Sequence, residues 1–141
     1  MECIIIDDEK MARVITRTLS EEISELKVVD EFSNAIQAIK FLNENQIDLI
    51  FLDLHMPDFN GLDFLKTINK PLKIILTTSD PNFAIEAFEY DSIIDYLLKP
   101  IELPRFIKAV QKAENHLSIA HRNTEDIKTK NDILNQKTAT I

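Results

Sequence analysis

Short apolar runs alternate with amphipathic stretches along the whole chain. The first run, Glu2 to Ile6, carries Cys3-Ile4-Ile5-Ile6 and stops at Asp7-Asp8-Glu9. From Lys10 to Glu22, Met11, Val14, Ile15 and Leu19 recur at helical spacing and predict one apolar face. Leu26 to Phe32, centred on Val28 and Val29, predicts a second strand, and Ser33-Asn34 can cap the helix marked by Ala35, Ala38, Ile39 and Leu42. Asp48 to Leu52 is a third apolar run, continued by Asp53-Leu54-His55-Met56-Pro57. Gly61 opens a short helix with Leu62, Leu65 and Ile68 inward, and Asn69-Lys70-Pro71 ends it. Lys73 to Thr77 predicts a fourth strand. Ser79-Asp80-Pro81 caps a fourth helix, with Ala84, Ala87 and Phe88 on its inner face. Ile93 to Leu98 predicts a fifth strand, closed by Lys99-Pro100, before a helix marked by Leu103, Phe106, Ile107, Val110 and Leu117.

Strands that read as continuous apolar runs are buried on both faces, and strands alternating with helices give a parallel sheet. The expected fold is α/β, a doubly wound five-stranded parallel sheet with right-handed crossovers in the order 2-1-3-4-5. The expected division is one domain over 1–120, followed by a linker or helical extension over 121–141. That tail is more polar. Its heptad positions, Val110, Leu117, Thr124 and Asn131 against Ala113, Ala120, Ile127 and Leu134, allow a coiled coil continuing the fifth helix.

Composition narrows the function. The 141 residues are 45% hydrophobic and carry a net charge of -8, with a pI near 4.8. This balance argues against nucleic-acid binding by this chain alone, because phosphate contacts need a basic surface. The balance fits a metal site or a basic partner. Cys3 is the only cysteine, so no internal disulfide forms, which suits a reducing cytoplasm; buried in its strand it is an inert thiol. No stretch reaches the ~18 apolar residues of a membrane span. No basic region precedes the first apolar run, so it does not read as a signal peptide.

In an open parallel sheet, ligands bind beyond the carboxyl ends of the strands. The groups expected there are Asp7 and Asp8 on the first strand, Asp53 on the third, Thr77 and Thr78 on the fourth, and Lys99 on the fifth. Three carboxylates in one cleft raise one another's pKa values and stay ionised only with a cation. All are hard oxygen donors, and Mg²⁺ is the natural choice. Metal, ammonium and hydroxyl together describe a site for a phosphoryl group. A carboxylate can accept that group as an aspartyl phosphate, and Asp53, on the central strand, is the candidate.

These pieces resemble the receiver domains of two-component response regulators, with their flavodoxin-like fold. The resemblance rests on Ile4-Ile5-Ile6-Asp7-Asp8-Glu9, Leu52-Asp53-Leu54-His55-Met56-Pro57 with Gly61, Ile75-Leu76-Thr77, and Tyr96-Leu97-Leu98-Lys99-Pro100, and spans about residues 2 to 118. The stretch from Thr77 through Phe88, with Asp95 to Ile101, is most similar to receivers that precede LytTR-type DNA-binding domains. The resemblance implies that Asp53 is the phosphoacceptor. It implies Mg²⁺ held by the side chains of Asp8 and Asp53, by the backbone carbonyl of His55, and by Asp7 through water. Thr77 and Lys99 would hold phosphoryl oxygens. Thr77 and Tyr96 would form a switch pair, His55 and Thr78 would tune phosphoryl lifetime, and the Lys99-Pro100 bond would be cis. His116 and His121 read as solvated.

The implied partners are a sensor histidine kinase and, once phosphorylated, a second copy of the chain, with a LytTR-type output controlling transcription. No LytTR domain follows in these residues. The chain is then either a piece of a longer regulator, which an uncapped end at Ala139-Thr140-Ile141 favours, or a natural single-domain receiver acting through protein contacts. An aspartyl-phosphate phosphatase resembling haloacid dehalogenases would want an acid two residues after the nucleophile, where His55 stands. A flavin-binding module would want amides and hydroxyls after the first strand, where Asp7-Asp8-Glu9 would repel a phosphate.

Overall fold

The computed structural model describes residues 1–57, 59–68 and 70–117. Five parallel strands form one sheet: β1 (Glu2–Ile6), β2 (Lys27–Phe32), β3 (Leu49–Asp53), β4 (Ile74–Thr78) and β5 (Ile93–Leu98), in the order β2-β1-β3-β4-β5. The expected 2-1-3-4-5 order is thus the observed one. Every residue of β3 and β4 is buried, as their unbroken apolar runs require. A two-residue antiparallel ladder pairs His55–Met56 with Phe59–Asn60 just after β3.

The pleat sorts the strand side chains between two cores. Ile4, Ile6, Ile50, Leu52, Ile74 and Leu76 meet α2 (Ala35–Glu44), α3 (Gly61–Thr67) and α4 (Ala84–Ala87) through Ala38, Leu42, Phe64 and Ala87. Cys3, Ile5, Leu49, Phe51, Ile75 and Leu97 meet α1 (Lys10–Glu21) and α5 (residues 103–117), where Phe106, Ala109, Val110 and Ala113 are buried. Phe51 and Phe106 stack with ring centroids 5.2 Å apart. Burial pushes the Cys3 thiol up to about 12, so it stays protonated.

Three helices differ from their sequence patterns. In α1, Met11, Val14 and Ile15 are 67%, 43% and 46% exposed, while Thr16 and Ser20 are buried. Small hydroxyl residues allow the close helix–sheet approach, and the Ser20 hydroxyl is satisfied within the helix by the Thr16 carbonyl at 2.7 Å. Leu19 still packs on the core, and Arg13 and Arg17 hold the helix to Glu31 of β2 at 3.4 and 2.7 Å. In α3 the fully buried residue is Phe64, with Leu62, Leu65 and Ile68 half-buried around it. The fourth helix is a 3-10 turn, Pro81–Phe83, followed by the single turn of α4. Ala87 is buried as expected, but α4 ends there, and Phe88 stands 53% exposed while Phe83 and Tyr90 pack inward. In α5, Leu103, Ile107 and Leu117 are half-buried, and His116 is exposed. Residues 121–141, the proposed coiled coil and His121 lie outside the described residues.

The outer strand β5 is tied to α5 by an ion cluster. Asp95, buried, accepts two 2.7 Å hydrogen bonds from Arg105, and Lys112 lies 3.3 Å away. Burial raises the Asp95 pKa, but Arg105, the Tyr96 backbone N–H and Lys112 outweigh it and hold the carboxyl below its ordinary range. Asp95→Ala is expected to lower stability by about 2 kcal/mol, read as a lower urea midpoint at pH 7. Because the folded-state pKa is depressed, the contribution is complete above about pH 4. It is lost as pH falls through the lowered value, so the gap between wild type and variant should close in acid.

Candidate functional site

At the carboxyl ends of β1 and β3, Asp7, Asp8 and Asp53 each bring a carboxylate oxygen to within 4.8 Å of the others. Asp7 and Asp53 are buried and Asp8 is half-buried. Strand register places them: Ile6 pairs with Leu52, so Asp7 and Asp53 stand side by side one residue beyond that pair. Asp53 is more enclosed than a strand end suggests, at 5% exposure. The Asp7 carboxylate accepts the Glu9 N–H at 3.0 Å, and its carbonyl accepts from Arg13 at 2.8 Å. Lys99, from the end of β5, reaches across with its Nζ 2.9 Å from Asp7 Oδ2 and 3.6 Å from Asp53 Oδ1.

The crowding has an electrostatic signature. Burial, then the Asp7 charge, push Asp53 up to about 7, against the pull of Lys99; its contact with Asp8 adds to the rise. Burial pulls the Lys99 pKa down, but the hydrogen bond to Asp7 and the Asp53 charge outweigh it and keep the ammonium protonated. One cation therefore faces three acids. A divalent ion fits the remainder: the donors are all hard oxygens, and among the described residues no His or Cys joins this group.

The hydroxyls divide between the two faces of the sheet. Thr77 is in register with Asp53, buried on the α1/α5 side, and its carbonyl accepts the Leu54 N–H at 3.0 Å. Tyr96 is in register with Leu76, which puts it on the opposite side, the side that Thr78 shares. The expected Thr77–Tyr96 pair is thus corrected by one residue, because a step of one along a strand changes face. Thr78 and Tyr96 meet through Asp80. The Asp80 N–H donates to Thr78 Oγ1 at 3.1 Å, and the Tyr96 hydroxyl donates to the Asp80 carbonyl.

Asp80 is the residue that sequence reasoning undervalued. Beyond those two bonds, its carboxylate accepts the Asn82 N–H at 2.8 Å, capping the 3-10 turn. Its other oxygen lies 3.5 Å from His55 Nε2. The Ser79-Asp80-Pro81 cap signal marked the position but not its reach. The exposed His55 ring rests on Asp80 and edge-on to Phe83, at 5.1 Å, rather than among the carboxylates. Lys99-Pro100 is cis, as expected.

Gly61 is required for space rather than for an unusual backbone angle, since no residue among those described has positive φ. A Cβ there would lie 3.1 Å from Leu54 Cα and 3.3 Å from the carbonyl oxygens of Asp53 and Leu54. The Gly61 N–H donates to the Leu54 carbonyl at 2.9 Å, so α3 closes directly on the end of β3.

Comparison with known proteins places this geometry. A family model described as the response regulator receiver domain matches residues 3–111. The chain belongs to the response regulator receiver family. The sensory transduction protein LytR of Staphylococcus haemolyticus is 40% identical over 121 residues, 84% of this chain and 47% of that protein. The transcriptional regulatory protein BtsR of Escherichia coli K12 is 32% identical over 136 residues, 91% of this chain and 56% of that one. The chain spans about half the length of the curated relatives it matches. Among solved structures, the response regulatory domain of mrkE from Klebsiella pneumoniae superposes with a TM-score of 0.73 at 32% identity, covering 82% of this receiver and 97% of that chain. The isolated receiver of RcsB from Salmonella enterica, solved with a phosphomimetic, gives 0.69 at 29% identity, covering 79% and 86%. No helix among the described residues of this receiver is long and apolar enough to cross a membrane.

The raised Asp53 pKa has a stability consequence. With the folded-state value near 7 and the unfolded value near 3.9, stability is full below about pH 4 and falls as pH rises toward 7. In metal-free buffer at pH 8, Asp53→Asn should be more stable than wild type by about 1–3 kcal/mol, and the advantage should shrink toward pH 5. Urea titrations at the two pH values check this.

Proposed function

We propose that this receiver takes a phosphoryl group onto Asp53 from the phosphohistidine of a sensor histidine kinase. An Asp53 carboxylate oxygen attacks phosphorus, the phosphorus–nitrogen bond breaks, and the imidazole leaves with a proton from solvent. The observation that carries the reading is the convergence of three carboxylates with the Lys99 ammonium at the ends of three strands. Mg²⁺ would be held by the Asp8 and Asp53 side chains, by the His55 carbonyl, and by Asp7 through water. When bound, it supplies positive charge to the transferred oxygens. Lys99 holds a phosphoryl oxygen from the other side, and its protonation suits that role.

The hydroxyl that reports the modification is Thr78, because it shares a face with Tyr96 and both bond Asp80. Thr77, beside Asp53 on the other face, belongs to the wall of the site. His55, resting on Asp80, and Ser79, the residue after Thr78, then become the positions that tune lifetime. As Thr78 turns toward the phosphoryl group its bond to Asp80 is released, freeing Tyr96 and the 3-10 turn to rearrange. The readout is a population shift at the face of α4 and β5, where Ile85, Phe88 and Leu98 are exposed. That face then pairs with a second copy. The sequence relatives named LytR and BtsR support a transcriptional output, of LytTR type, in a cytoplasmic regulator.

Incubation with a small phosphodonor and Mg²⁺, followed by intact mass, tests the assignment. One phosphoryl mass is expected on wild type and none on Asp53→Asn; equal gain in both would sink it. Thr78→Ala should take up the phosphoryl group yet fail to show the donor-dependent rise in mass by light scattering, whereas Thr77→Ala should still show it.

A further inference from the structure

Two short contacts fix the peptide that joins the first two acids of the cluster. The Asp7 N–H donates to the Phe32 carbonyl at 3.0 Å, and the Asp7 carbonyl accepts from Arg13 Nη1 at 2.8 Å. That carbonyl belongs to the Asp7–Asp8 peptide unit, which is planar, so whatever holds it also sets the direction in which Asp8 leaves the strand. Arg13 is itself held from behind, with its Nε 3.4 Å from Glu31 Oε1 on β2. The hydrogen bond from Arg17 is the main cause that keeps the Glu31 carboxyl below its ordinary range, so Glu31 remains a charged anchor. The edge strand β2 carries none of the acids, yet through Phe32 and Glu31 it braces Asp7 on both sides. The distances separate two roles. Arg17 makes the close pair with Glu31, at 2.7 Å, and is 40% exposed; that pair ties α1 to β2. Arg13 makes only the looser pair, is 14% exposed, and directs its short bond at a backbone carbonyl of the site. A guanidinium can do both at once because its donors fan out in one rigid plane.

We propose that Arg13 is a positioning residue for the acid cluster: by fixing the Asp7–Asp8 peptide it holds the Asp8 carboxylate within reach of Asp53 for a divalent cation. The inference rests on the reading that Asp8 and Asp53 hold Mg²⁺. Three acids with oxygens within 4.8 Å of one another repel. Asp53 stands on a strand paired on both sides, and Asp7 is tied to Lys99, so neither can yield. Asp8, half-buried and beyond the strand, is the acid that repulsion would turn outward. Mg²⁺ demands near-ideal octahedral geometry, so a small displacement of one carboxylate weakens binding without abolishing it. Groups that hold metal ligands from behind typically change metal affinity about 10–100-fold when removed.

A Mg²⁺ titration of the metal-free protein, followed by amide NMR shifts, reads the Kd directly, and the same spectra report whether each variant is folded. Arg13→Met keeps the aliphatic stem and loses every donor; its Kd for Mg²⁺ should rise about tenfold. Arg13→Lys keeps one charged donor but no fork, and its Kd should rise about threefold. Arg17→Gln removes the closer pair with Glu31 and should stay within about twofold of wild type. In rates of mass gain from acetyl phosphate, Arg13→Met should raise the half-saturating Mg²⁺ concentration by a larger factor than it lowers the maximal rate. A wild-type Kd in Arg13→Met, or in Arg13→Lys should Arg13→Met fail to fold, would overturn the role of Arg13. So would an equal rise in Arg17→Gln, or a loss confined to the maximal rate. No Mg²⁺-dependent shift in wild type would overturn the metal reading and the role of Arg13 together. No mass gain in wild type would overturn only the phosphoacceptor reading, since the titration decides Arg13 without it.

Discussion

Like charges held close in a buried cleft are the constraint on which this receiver depends. Asp7, Asp8 and Asp53 bring carboxylate oxygens within 4.8 Å of one another, and one ammonium, Lys99, contacts Asp7 and Asp53. Such an arrangement is unfavourable for folding, since burial and repulsion both oppose ionisation of Asp53. It persists because the strand ends are fixed by the hydrophobic sheet beneath them. The same imbalance suits the site to a cation, whose charge would make room for the phosphoryl group of the proposed function.

The rest of the molecule serves to hold or to report that cluster. Two fully buried strands, β3 and β4, give it a rigid floor. Gly61 lets α3 close on the carbonyl groups of Asp53 and Leu54. On the other side Asp80 gathers Thr78, Tyr96, Asn82 and His55. Four separate elements therefore depend on one residue of a loop, next to a helix only one turn long. Short elements with few buried contacts are the ones that can change arrangement at low cost.

The α1 helix departs from the rule that an apolar stripe faces the core. Its best apolar stripe faces water, and a strip of hydroxyl residues faces the sheet. The chain tolerates this because Ser20 is satisfied within the helix and because Arg13 and Arg17 anchor it to Glu31.

Much of this was legible in the sequence. Unbroken runs such as Leu49-Ile50-Phe51-Leu52 can only be strands buried on both faces, and alternation with helices then leaves few topologies. Acids, hydroxyls and a lysine placed after successive runs must meet at one sheet edge, so Asp7, Asp8, Asp53 and Lys99 could be brought together without coordinates. Faces and angles were not legible. A period of 3.6 identifies an apolar stripe but not which way the helix is turned, so Met11 and Ile15 were placed inward. A period of two cannot say at which residue a strand starts, so Thr77 and Thr78 could not be told apart as the partner of Tyr96. The reach of Asp80 to His55 and Tyr96 joins residues remote in sequence, and only packing decides it. Local chemistry along the chain determined what would be assembled; the orientation of each element, set by long-range packing, decided which groups touch.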